Sequence, residues 1–112
     1  MPPKKNPLNL NPLQLKTLTL MQYIAGLPGQ GPVTAEGVEI GGFPHPHGDH
    51  FHLGQVVVAT RDASGLANQA VWVALERKGL IKSSFPDSAV LTRAGLGYDT
   101  GLADQILHRS DH

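Results

Sequence analysis

Four of the six histidines in this 112-residue chain fall within a single short run, Phe43-Pro44-His45-Pro46-His47-Gly48-Asp49-His50-Phe51-His52. Neutral imidazole is a good ligand for zinc, and carboxylate oxygen can complete its shell. If the chain is extended from Asp49 to Leu53, side chains alternate, so His50 and His52 share one face while Phe51 and Leu53 share the other. Two imidazoles spaced i, i+2 can hold one ion between them. His47 or Asp49 would supply a third donor, and the candidate ligands are therefore His45, His47, Asp49, His50 and His52. Zinc is the first choice, with nickel or copper as further options. Simpler roles are open to the same residues. They can bond backbone groups, stack on the neighbouring prolines, or act as a charge switch, since imidazole ordinarily titrates near pH ~6.5. Asp49 is the one acid–base group nearby, and no serine or threonine stands in a nucleophile motif, so a non-enzymatic role is expected.

His45-Pro46-His47-Gly48-Asp49-His50 is similar to the H-x-H-x-D-H signature of metallo-β-lactamase-like hydrolases, a resemblance that implies metal-dependent hydrolysis. The match covers six residues. That fold needs a much longer chain and further ligands, for which only His108 and His112 are on offer here. A small metal-dependent hydrolase is accordingly the third-ranked reading.

Bulk properties narrow the field. Nine Lys and Arg balance nine Asp and Glu, giving zero net charge and a pI near 7.0, which is less basic than most nucleic-acid binders. The absence of cysteine excludes disulfides, thiolate metal sites and a cysteine nucleophile. No apolar run is long enough for a membrane span and the N-terminus lacks an apolar signal core, so a cytoplasmic protein is expected. At 11.9 kDa there is room for one core. We expect a disordered basic tail over residues 1–10, carrying Lys4 and Lys5, and a single domain over residues 11–108.

The local signals are uneven. Asn11-Pro12 is a good helix start, with Asn as N-cap and Pro in the first turn, and apolar residues recur at helical spacing up to Ala25. Residues 27–46 are dense in Gly and Pro, which predicts a loop with room for a short strand at Val38-Glu39-Ile40. Val56-Val57-Val58-Ala59 fits a strand or a buried helix, and its β-branched content favours strand. Asn68 is a plausible N-cap for a helix with Val71, Ala74 and Leu75 inward and Gln69, Trp72, Val73, Glu76 and Arg77 outward. Gly65 suits a tight turn before it, and Gly79 suits its C-terminal exit. Residues 81–84 and 89–91 read as a hairpin, and residues 102–107 as a short helix capped by Asp99 or Thr100, with a frayed end from Arg109. Val71, Leu75, Leu18, Leu80 and Leu91 are expected to share one core.

Three short motifs resemble the winged-helix DNA-binding family: Gly65-Leu66-Ala67, then Leu75-Glu76-Arg77-Lys78-Gly79-Leu80-Ile81, then Leu91-Thr92-Arg93-Ala94-Gly95. The resemblance covers roughly residues 55–98. It implies an α+β winged helix-turn-helix in which residues 55–61 are the second helix, with the Gly/Pro-rich stretch as an insertion between the first and second helices. It further implies double-stranded DNA as partner and a role in transcription regulation. Asn68, Gln69, Trp72, Arg77, Lys78, Lys82 and Arg93 would then face DNA, the amides reading bases and the cations meeting phosphates, with Arg61 as a further phosphate candidate. Dimerisation through residues 13–25 and 102–107 is expected on the same grounds. One alternative is a protein-interaction module that docks through Trp72 and Val73, with the histidines as a metal clip; a plainer one makes the helix after Asn68 a core element whose Trp72 is covered by residues 27–46.

Overall fold

The computed structural model describes residues 6–43 and 49–109. Helix α1 (Pro12–Ala25) starts where the sequence predicts. The Asn11 side chain accepts from Gln14 N, and the Gln14 side chain accepts from Asn11 N, so two otherwise unpaired amides are satisfied reciprocally. The middle of α1 is buried almost all round, from Thr17 through Met21 and again at Ile24. Thr17 and Thr19 return their hydroxyls to the carbonyls of Leu13 and Leu15, each at 2.8 Å, which lets two polar side chains sit inside the core. The domain is built round this helix.

Strand β1 (Gly37–Gly41) follows, then β2 (His50–Leu53) and β3 (Val56–Ala59), a 3-10 helix (Thr60–Ala67), and α2 (Gln69–Arg77). Strands β4 (Ile81–Ser84) and β5 (Ser88–Thr92) form the expected hairpin. The short helices α3 (Arg93–Gly97) and α4 (Ala103–Ile106) and a two-residue strand β6 (His108–Arg109) close the described chain. The strands make two antiparallel sheets, one ordered β1-β5-β4 and the other β2-β3-β6. The architecture is mixed α+β. Val38 and Ile40 of β1, Ala89 and Leu91 of β5, and Ile81 of β4 pack into the same core as Leu53, Val56 and Val58 of the second sheet. Leu18, Val71, Leu75, Leu80 and Leu91 are all buried in it, as predicted. No helix among the described residues is long and apolar enough to cross a membrane.

Four local expectations are corrected. Residues 55–61 are not a helix. Val56–Ala59 is a strand, as its β-branched residues favour, because β2 and β6 are there to pair with it on either side. The helix preceding α2 is instead the 3-10 segment from Thr60. Residues 6–10, expected as tail, are docked: Leu10 is buried, Leu8 N donates to the Tyr98 hydroxyl, and that hydroxyl bonds Asn6. Arg109 does not fray, since it pairs with Val56 in β6. Neither Asp99 nor Thr100 caps α4. Asp99 accepts from Gly101 N, and Thr100, itself bonded to Thr19, accepts from Leu102 N, both before the helix begins.

Gly65 serves a purpose other than turn flexibility. A Cβ there would stand 1.9 Å from Thr17 Oγ1, so the residue lets the 3-10 helix lie directly on α1. Gly79, with φ +76°, is the left-handed exit residue of α2 that its position suggests.

Candidate functional sites: the α2 face and the histidine face

Helix α2 begins where the Asn68 side chain accepts from Ala70 N at 3.0 Å. That bond uses the amide oxygen, so a bidentate pairing of Asn68 with adenine would cost the helix its cap. Gln69, one residue on, is exposed and has no side-chain partner among the described residues. Val73, Glu76 and Arg77 are exposed as expected, and Val33 and Val73 are the large hydrophobics exposed among the described residues. Glu76 has a structural use: its Oε2 accepts from Ser83 N at 2.9 Å, fastening the helix to the hairpin.

Trp72 does not face outward as the helical wheel suggests but is covered, as in the core-element alternative. It is 0% exposed, so it faces neither DNA nor a protein partner. Phe43 meets its ring edge-on at 5.4 Å and Phe85 at 5.1 Å, the first from the Gly/Pro-rich stretch and the second from the hairpin turn. These two rings widen the buried arc of α2 from Val71 and Leu75 to include Trp72, while Ala74 ends half-buried. The Trp72 Nε1–H has no acceptor among the described residues.

The cations lie mainly beyond the end of α2. Lys78 Nζ donates to Leu8 O at 2.6 Å and Arg93 donates to Thr34 O at 3.2 Å. Lys82 stands 3.9 Å from Glu36, with both side chains well exposed. Arg61 and Arg77 are exposed and enter no ion pair among the described residues. Each of the engaged cations holds a single surface partner of modest worth, which a phosphate could replace. A closer pair, Lys16 of α1 with the mostly buried Asp62 at 2.8 Å, ties that helix to the 3-10 helix.

The histidines divide in two. His45 and His47, like Lys4, Lys5 and His112, lie outside the described residues. His50 and His52 are exposed on β2, with ring centroids 5.4 Å apart at 81°. Asp49 Oδ1 lies 3.1 Å from His50 Nδ1. That hydrogen bond first, then one to backbone, holds the Asp49 carboxyl below its ordinary value. Among the described residues no three His, Asp or Glu side chains stand grouped to hold an ion. His108, which the sequence offers only as a distant further ligand for the hydrolase signature, joins this face through the pairing of β6. An open groove of about 390 Å³ beside β1, lined by Gly29, Gln30, Gly41, Gly42 and Ser88 among others, offers little chemistry. Its Gln30 side chain is committed to Gly41 N and O.

The chain matches no protein-family model, and comparison with curated proteins and with solved structures finds no significant match.

Proposed function

We propose that this protein is a winged-helix-type module that binds double-stranded DNA. The observation that most supports this reading is the order in which the chain builds its parts. A 3-10 helix and α2 meet at Asn68, and α2 runs directly into the β4–β5 hairpin, which shares a sheet with β1 in the order β1-β5-β4. In helix-turn-helix proteins the second helix of such a pair lies in the major groove, with its first residues at the base edges. On that reading Gln69 reads bases, Arg77 and Lys82 meet phosphates, and Lys78 and Arg93 join if they exchange their carbonyl partners. Trp72 has no part in it. Its burial also removes the anchor of the protein-docking alternative, leaving Val73 alone.

The zero net charge sets the expected strength. With two to four phosphates engaged, log K should fall against log salt with a slope of roughly −2 to −4, at about −0.9 per phosphate. Fluorescence anisotropy of a labelled random-sequence duplex, titrated at several salt concentrations, tests this. Arg77→Ala should flatten the slope by about one contact, whereas Gln69→Ala should leave the slope and alter sequence preference. An affinity indifferent to salt, or no binding at the lowest salt, would rule the reading out.

A further inference from the structure

Register places a third histidine on the face that carries His50 and His52. His52 pairs with Val57, and Val57 in turn pairs with His108. Directly paired residues project to the same side of a sheet, so His52, Val57 and His108 line up across three strands. His50, two residues before His52 and paired with Ala59, belongs to the same side. The opposite side is the apolar one, where Leu53, Val56 and Val58 enter the core. The outward side thus gathers three imidazoles round two small or half-buried aliphatic residues, Val57 and Ala59.

We propose that this face is a zinc-binding site in which His50 and His52 form a preset pair and His108 supplies the third ligand. Two features of the pair fit. Imidazoles sharing a tetrahedral ion, with metal–nitrogen bonds of ~2.0 Å, hold their ring centroids about 5 Å apart. The centroids of His50 and His52 are 5.4 Å apart. In addition, Asp49 bonded to His50 Nδ1 leaves Nε2 as the outward ligand nitrogen, the carboxylate–histidine arrangement that orients metal ligands. His108 stands two strand spacings from His52, about 10 Å between backbones. Two histidines bridging one ion can span roughly 12 Å. An exposed side chain at a two-residue strand is free to make that rotation, which brings together the group that is not assembled beforehand. Water would complete the shell. Zinc would then fasten β6, the last described element, to the hairpin β2–β3.

The test is competition for zinc against a chromophoric chelator at neutral pH, using the full chain. The wild type should take up one equivalent. His50→Ala, His52→Ala and His108→Ala should each weaken binding at least tenfold, and Asp49→Asn by about tenfold at unchanged stoichiometry. Cobalt in place of zinc should give the intense visible absorption of a tetrahedral site. If any variant fails to fold, zinc-induced shifts of the His52 and His108 ring resonances in the wild type decide instead. Binding unchanged by His108→Ala, or zinc shifts that leave the His108 ring unmoved, would overturn the proposal.

Discussion

Replacing Gly65 with alanine tests how the domain is held together. The added Cβ would stand 1.9 Å from Thr17 Oγ1, 3.2 Å from Thr17 Cβ and 3.5 Å from Leu13 Cδ1. The hydroxyl cannot simply swing away, because Thr17 is 0% exposed and Oγ1 is bonded to Leu13 O at 2.8 Å. Either α1 and the 3-10 helix separate, at an overpacking cost of about 1–3 kcal/mol, or Thr17 rotates and leaves a buried hydroxyl unpaired, at about 1–3 kcal/mol. Alanine also stiffens the unfolded chain, which returns about 0.4–1 kcal/mol. The difference is a net loss of up to about 2.6 kcal/mol, centred near 1 kcal/mol, against a total stability of about 5–15 kcal/mol for such a domain. Chemical denaturation would measure it directly, and the melting temperature should fall by about 4–8 °C for each kcal/mol lost. Thr17→Ala removes the clashing atom. The double variant Gly65→Ala/Thr17→Ala should therefore be more stable than the sum of the single changes, by about 1 kcal/mol. A Gly65→Ala protein as stable as wild type, or a cycle with no coupling, would refute this account of the contact.

Three shorter expectations accompany it. Leu75→Ala removes a fully buried side chain and should cost about 2–5 kcal/mol by denaturation, with any loss under 1 kcal/mol contradicting its place in the core. The single tryptophan, Trp72, should emit at short wavelength and resist acrylamide quenching, and Phe43→Ala should expose it. Because His50 holds the Asp49 carboxyl low, the stability owed to that contact is present above the ordinary carboxylate range and disappears as pH falls through the lowered value. His50→Ala should return the Asp49 titration, followed by carboxyl-carbon NMR, towards the ordinary value, and an unmoved titration would assign the effect elsewhere.

What could be read from the sequence was what is local. The Asn11 cap with Pro12 at N1 fixed the start of α1, Asn68 and Gly79 bracketed α2, and the hairpin turn lay within two residues of its prediction. The strand at Val56–Ala59 was also legible in its β-branched run, against the helix that the family resemblance implies there. Trp72 was legible only as a choice between an outward side chain and one covered by residues 27–46. A helical wheel centred on Val71, Ala74 and Leu75 leaves it outside, and only Phe43 and Phe85, distant in sequence, make its side of the helix the covered one. The place of His108 beside His52 was not legible, because a two-residue strand has no periodicity to detect and its neighbours are set by a register that no local signal encodes. The pairing of His50 with His52, by contrast, needed only the alternation of an extended chain.

The central claim, that the outer face of α2 and the adjoining hairpin meet DNA, is tested most directly by mapping amide chemical shifts on titration with a duplex at low salt. The account predicts the largest changes at Gln69, Val73 and Arg77, with smaller ones at Lys82 and Arg93, all reversed by added salt. Changes centred on the outward side of β2 and β3, or none anywhere on α2, would contradict it.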